Sequence, residues 1–183
     1  MPSPEIHVRA VKRRLRRRKA KRFLFMLPVI LLSLLVILFA LWMPVLQIHG
    51  TSMEPALHNG DSVIVVPRQE YEAGQIIAFR CQGQILTRRI IAGPGSTVEM
   101  DSSGNITVDG IVIGETCYGD IKQAEYTTVF PCLVPEGHYF VLCERRSSIL
   151  DSRSSVIGCV AQENILGQVL WIFLPADRFG AVN

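Results

Sequence analysis

The sequence has no Cys-x-x-Cys pair, no His/Cys/Asp/Glu grouping at metal-ligand spacing and no glycine-rich nucleotide loop, so nothing in it supports a zinc, redox, metal or nucleotide site. It also lacks repeats, low-complexity linkers and any amphipathic helical pattern of useful length, which excludes solenoid and helical-bundle folds. Charge is absent from Phe23 to Met43. At 1.5 Å per residue that stretch spans about 30 Å, the thickness of a bilayer's hydrocarbon core. Lysine is almost absent beyond residue 22, where Lys122 is the single example.

What is present is unevenly placed. Of 19 Lys and Arg, ten fall in residues 1–22, and the chain beyond the apolar run carries nine against fifteen Asp and Glu, a net of −6 that the overall +3 conceals. The expected layout is a basic cytoplasmic tail (1–22), a transmembrane helix (23–43) and an extracytoplasmic β-rich domain (44–183). The arginine-rich tail orients the span by the positive-inside rule, with Pro28 near the start and Trp42 as an interfacial anchor. A cleaved secretory signal wants an apolar core of about 7–15 residues and a small-x-small site, and this stretch is longer and ends Phe39-Ala40-Leu41-Trp42-Met43-Pro44. No aromatic residue interleaves the arginines, so the expected partner is the membrane and its anionic lipid, and no nucleic acid.

Beyond Asp61 the pattern is that of a mostly β, antiparallel protein. Short β-branched or aromatic runs, Gln75–Phe79, Ile85–Ile91, Thr97–Met100, His138–Cys143 and Gly167–Leu174, are separated by Gly, Pro, Asp and Ser. Asp101–Asn105 reads as a hairpin turn with Gly104 supplying a positive φ. The five cysteines lie in the part expected to be external, where disulfides are permitted. Cys117 and Cys132 bracket a short polar excursion and are the first candidates for a bridge.

One loop organises the rest: His49-Gly50-Thr51-Ser52-Met53-Glu54-Pro55-Ala56-Leu57, followed by Gly60-Asp61 and the strand-like Ser62–Val66. It begins a few residues past the apolar run, which puts Ser52 near a membrane surface. Ser52 invites a nucleophile hypothesis, set against the simpler view of a turn serine bonding its own backbone. Three further stretches decide: Arg88-Arg89-Ile90-Ile91-Ala92-Gly93-Pro94-Gly95, then Val134–Leu142, then Asp151-Ser152-Arg153 with Gly158 and Ile165–Val169. Their order, with Gly-x-Ser-Met-x-Pro-x-Leu after one amino-terminal span, resembles the type I signal peptidases of bacteria, in particular the single-span Gram-positive branch, over nearly all of residues 45–175.

The resemblance implies a membrane-anchored domain of coiled antiparallel sheets that removes signal peptides from exported preproteins by serine endopeptidase chemistry, without a cofactor. Ser52 matches the nucleophile. Gly50, Met53 and Pro55 match residues shaping the loop, with Met53 also expected to aid membrane association, and Asp151 and Arg153 match a structural ion pair. The serine's own N–H contributes to the oxyanion hole, and the substrate pairs along a strand edge with small side chains in shallow pockets.

Two departures fall on the chemistry. The family's general base is a lysine at the position of Arg88, and the serine that bonds that lysine is matched by Ile149. Arginine keeps its proton at any ordinary pH and is no general base. The Gly-Asp-Asn that normally follows the Tyr-Phe-Val strand is here Cys143-Glu144-Arg145. Lys122, His49, His58 and Glu144 are the alternative bases; the related peptidases of the endoplasmic reticulum use a histidine, but at the position of Arg88. Two functions follow as expectations. One is a working signal peptidase with an unrecognised base. The other is a silenced relative that binds exported or pilin-type segments and assists surface-protein or pilus assembly, with sortase or pilus components as partners.

Overall fold

The computed structural model of the chain describes residues 26–35, 37–38, 45–102, 104–113, 127–145, 148 and 150–182. The chain divides into two compact units, Met1–Met43 and Pro44–Asn183. In the first, residues 26–35 and 37–38 are helical, and Ser33 Oγ donates to Ile30 O at 2.9 Å, which satisfies the hydroxyl locally. No helix among the described residues is long and apolar enough to cross a membrane. The ends of the expected span and the basic tail lie outside the described residues.

Among the described residues of the second unit every strand pairing is antiparallel. Its strands are β1 (Val45–Gln47), β2 (Ser62–Val66), β3 (Ile76–Cys81), β4 (Gln84–Ala92), β5 (Thr97–Met100), β6 (Ile106–Val108), β7 (Ile111–Val112), β8 (Cys132–Leu133), β9 (His138–Leu142), β10 (Val160–Ala161), β11 (Ile165–Leu174) and β12 (Gly180–Ala181). The larger sheet runs β1-β2-β11-β3-β4-β9-β10 with β12 added to β11, and the smaller runs β7-β6-β5-β8. The five runs picked out by pattern correspond to β3, β4, β5, β9 and β11, and the turn between β5 and β6 has Gly104 at φ +83.

Burial follows the sequence periods. In β2 the alternation Ser-Val-Ile-Val-Val points Val63 and Val65 inward. β3 carries the unbroken run Ile-Ile-Ala-Phe and is covered on both faces, as its central position between β11 and β4 requires. β11 meets β2 closely at Gly167, where an added Cβ would lie 2.5 Å from the Val66 carbonyl, so only glycine lets the two strands pair there. Ala92, Phe140 and Leu142 from the larger sheet pack with Val98 and Ile106 from the smaller, joining the two in one core.

The expected Cys117–Cys132 bridge is corrected. Cys132 is a free thiol whose Sγ lies 4.0 Å from that of Cys159. β8 pairs with β5, which turns Cys132 toward the loop before β10. Cys117 and Lys122 lie outside the described residues. Burial, followed by the neighbouring Cys132, pushes the Cys159 thiol up to about 12.

Candidate active site

The Ser52 loop is the connection from β1 to β2, and backbone bonds at its feet draw it closed: Ile48 N–H donates to Asp61 O at 2.7 Å and Gly60 N–H to Ile48 O at 2.8 Å. Gly50 takes φ +89, a left-handed conformation that side chains resist, and its N–H donates to Asn59 Oδ1 at 2.9 Å. A single helical turn follows, with Leu57 N–H on Met53 O at 2.9 Å. Met53 and Leu57 then point down into the cluster of Ile48, Val63, Val65, Ile76 and Val169. Met53 is 1% exposed, so the expectation that it aids membrane association is corrected: its side chain is spent on holding the loop to the core and has no surface to offer lipid. Pro55, joined to Glu54 by a cis peptide bond, is exposed on the far side of the turn.

Two groups that the sequence did not single out lock this loop. The buried Asp61 carboxylate accepts from His58 N–H at 2.8 Å and from Arg178 Nη1 at 2.8 Å, while Arg178 Nη2 donates to Ala56 O at 3.2 Å. From the other side Arg145 N–H donates to Ser52 O at 3.0 Å, and its Nη2 pairs with Glu54 Oε2 at 2.9 Å. An Asp three residues past the His58 amide, just before a strand, is the one local signal that could have found Asp61. Arg178 has none, because its partners are set only by tertiary structure.

Adjacent arginines on β4 point to opposite faces, as strand geometry requires. Arg88, 3% exposed, turns toward the loop: Nε donates to Leu150 O at 2.7 Å, and Nη1 to Thr87 O at 2.5 Å and to Ser52 Oγ at 3.2 Å. Among the described residues this is the one hydrogen bond of Ser52 Oγ, and the Ser52 N–H has no acceptor. Arg89 faces the other way and takes Glu144 Oε1 through Nε and Nη2. That carboxylate is committed to an ion pair, away from Ser52. His58 contributes only its backbone N–H here, and His49 Nδ1 lies 3.0 Å from Gln47 O. Ile149 lies outside the described residues.

Behind Arg88 sits the second buried guanidinium. Arg153 Nε and Nη2 meet Asp151 Oδ1 and Oδ2 at 2.9 and 2.7 Å, with the pair 1% and 0% exposed. Asp151 also accepts from Cys143 N–H at 3.1 Å and Arg153 donates to Ser148 O at 2.6 Å, so the pair ties β9 to the following loop. Ser152 extends the tie, taking Val141 N–H on its Oγ at 2.9 Å. Burial pushes the Cys143 thiol up to about 11, with Arg88 pulling the other way.

Ser52 and Arg88 open into a cleft of about 470 Å³, walled by residues 46–52 on one side and 85–88 on the other and closed by Arg145, Ser148 and Leu150. Among the described residues β1 ends the sheet, and the 84–88 half of β4 pairs only with β3, since β9 begins its pairing at Arg89. Both walls therefore offer unpaired strand edge, the geometry that accepts an extended peptide. No cluster of His, Cys, Asp and Glu among the described residues could hold a metal ion.

Residues 19–174 match the family model described as Signal peptidase, peptidase S26. Probable signal peptidase I-1 of Synechocystis sp. (strain ATCC 27184 / PCC 6803 / Kazusa) is 33% identical over 74% of this chain and 74% of its own length. Signal peptidase I T of Bacillus subtilis (strain 168) is 31% identical over 81% of this chain and 82% of its own. A signal peptidase I of known structure from Enterococcus faecalis V583 is 30% identical, covering 55% of this chain and 97% of that one with a TM-score of 0.43.

Proposed function

Because the chain belongs to the signal peptidase family, peptidase S26, we propose that it keeps that family's peptide-binding cleft but works on its ligands as a binder with strongly impaired serine endopeptidase chemistry. The observation that carries this reading is the hydrogen bond from Arg88 Nη1 to Ser52 Oγ at 3.2 Å. The group beside the serine is a donor with no lone pair to give, whereas a serine nucleophile needs an acceptor for its proton. General-base assistance is worth about 10²–10⁴ in rate, and Ser52 forgoes it.

In this reading Asp151 and Arg153 brace the wall of the cleft, and Gly50, Met53 and Pro55 shape the serine loop. The ligands are extended segments of exported proteins, signal peptides or pilin-type sequences, and the protein presents them to surface-protein or pilus assembly components such as sortases. The uncharged stretch 23–43 anchors it as a single-pass membrane protein with residues 1–22 cytoplasmic and 44–183 outside.

A second reading, a working signal peptidase, rests on His49, which lines the same cleft as Ser52. The test is cleavage of a model preprotein by the detergent-purified protein. The expected rate is about 10²–10⁴ below that of a lysine-bearing relative, with Ser52→Ala making no difference. Robust cleavage that Ser52→Ala abolishes would overturn the binding reading, and its loss in His49→Ala would identify the base.

A further inference from the structure

Arg88 is a cation without a counter-ion. Its Nε and Nη1 are satisfied by two carbonyls and a hydroxyl, all neutral, and its Nη2 has no partner among the described residues although the side chain is 97% buried, at 3% exposure. Every other site guanidinium is matched by a carboxylate: Arg89 by Glu144, Arg145 by Glu54, Arg153 by Asp151 and Arg178 by Asp61. No acidic side chain lines the cleft among the described residues, although the chain beyond the apolar run carries a net −6. A buried charge left uncompensated is costly, and the usual relief is an anion.

We infer that the cleft is built to hold the free carboxylate at the end of a peptide, seated beside Ser52 on the Nη2 of Arg88. The inference rests on the peptide-binding reading above and names its ligand: a segment that has already been cut, and not an internal stretch awaiting cleavage. Three features point to a chain end. The two open strand edges take extended backbone, as described, and they converge on the serine loop. A carboxylate oxygen on the free Nη2 gains a charge-assisted hydrogen bond that a neutral amide carbonyl does not match, and capture of a terminal carboxylate is an established mode of peptide recognition. Finally, Ser52 offers both its Oγ and an unoccupied N–H at the same point, so the second carboxylate oxygen meets a donor as well.

The test uses the full-length protein in detergent micelles and a fluorescent, extended alanine-rich peptide in two forms, free acid and carboxamide, read by polarisation. The free acid is expected to bind at least about tenfold more tightly than the amide, and Arg88→Gln to erase that preference. Equal binding of the two forms to the wild-type protein overturns the carboxylate inference and leaves the peptide-binding reading standing. Failure of both forms to bind overturns both. Inorganic phosphate is run as competitor, and phosphate that displaces the acid peptide as well as the acid itself does, mole for mole, also overturns the assignment to a peptide end. If Arg88→Gln does not fold, the comparison of acid and amide on the wild-type protein decides alone.

Discussion

Arg153 and Arg88 are two guanidiniums of nearly equal burial, 1% and 3% exposed, and they do opposite things. Arg153 meets a carboxylate in two-point geometry and has a carbonyl besides, so its charge is answered within the fold. Arg88 has only neutral acceptors and faces a cleft. Charge that is answered internally serves structure, because removing either partner strands the other. Charge left open toward a cavity serves ligands. The Asp151–Arg153 pair therefore belongs to the scaffold, and Arg88, at the position where the family resemblance calls for a lysine, belongs to recognition.

The sharpest way to break that contrast is to give the cleft back an amine. Arg88→Lys together with Ile149→Ser is expected to raise preprotein cleavage by about 10²–10⁴ over the native chain, whereas Arg88→Lys alone leaves the amine without its hydroxyl partner and recovers far less. Initial-rate measurements on the three proteins check this, and full recovery from the single change would contradict it. Asp151→Ala removes the carboxylate that meets the buried Arg153 in two-point geometry, at an expected cost of about 3–5 kcal/mol of stability by denaturant unfolding. Arg88→Gln should change stability by less than about 1 kcal/mol, because it removes a charge that nothing in the fold compensates.

A smaller effect is expected at the far end of the serine loop. Arg178→Ala releases Asp61 and the Ala56 carbonyl together and should cost about 1.5–3 kcal/mol, with faster protease nicking between residues 55 and 61 as the local readout. Smaller again is a pH effect from Cys143. Its thiol ionises near 9 when exposed and near 11 in the fold, so the unfolded chain gives up its proton first. The stability this contributes is whole below pH 9 and drains away as pH climbs through 11. A melting series over that window should fall more steeply for the native protein than for Cys143→Ala.

The long strands could be read from the sequence because alternation in β2 and unbroken apolar runs in β3 and β9 follow directly from which faces are covered. β1, β7, β8, β10 and β12 could not, since two or three residues carry no period, and they are strands only because a neighbour pairs with them. The site divides in the same manner. Ser52 and Arg88 stood out by motif order, while Arg145, Asp61 and Arg178 resemble ordinary surface charges until the fold brings distant segments together. The expected Cys117–Cys132 bridge was read from nearness along the chain, and the fold sets Cys159 beside the Cys132 thiol.

Arg178 reaches Asp61 across 117 positions of sequence, and β2, the strand that carries the loop's far foot, finds its inner neighbour only in β11. During synthesis the serine loop is thus made early and finished late. Until β11 and Arg178 have been made, residues 48–61 have no clamp and no inner strand to lie beside, so the serine loop cannot take its shape from its own segment alone. The serine loop is thus shaped by contacts of long sequence separation, the kind that form late in folding.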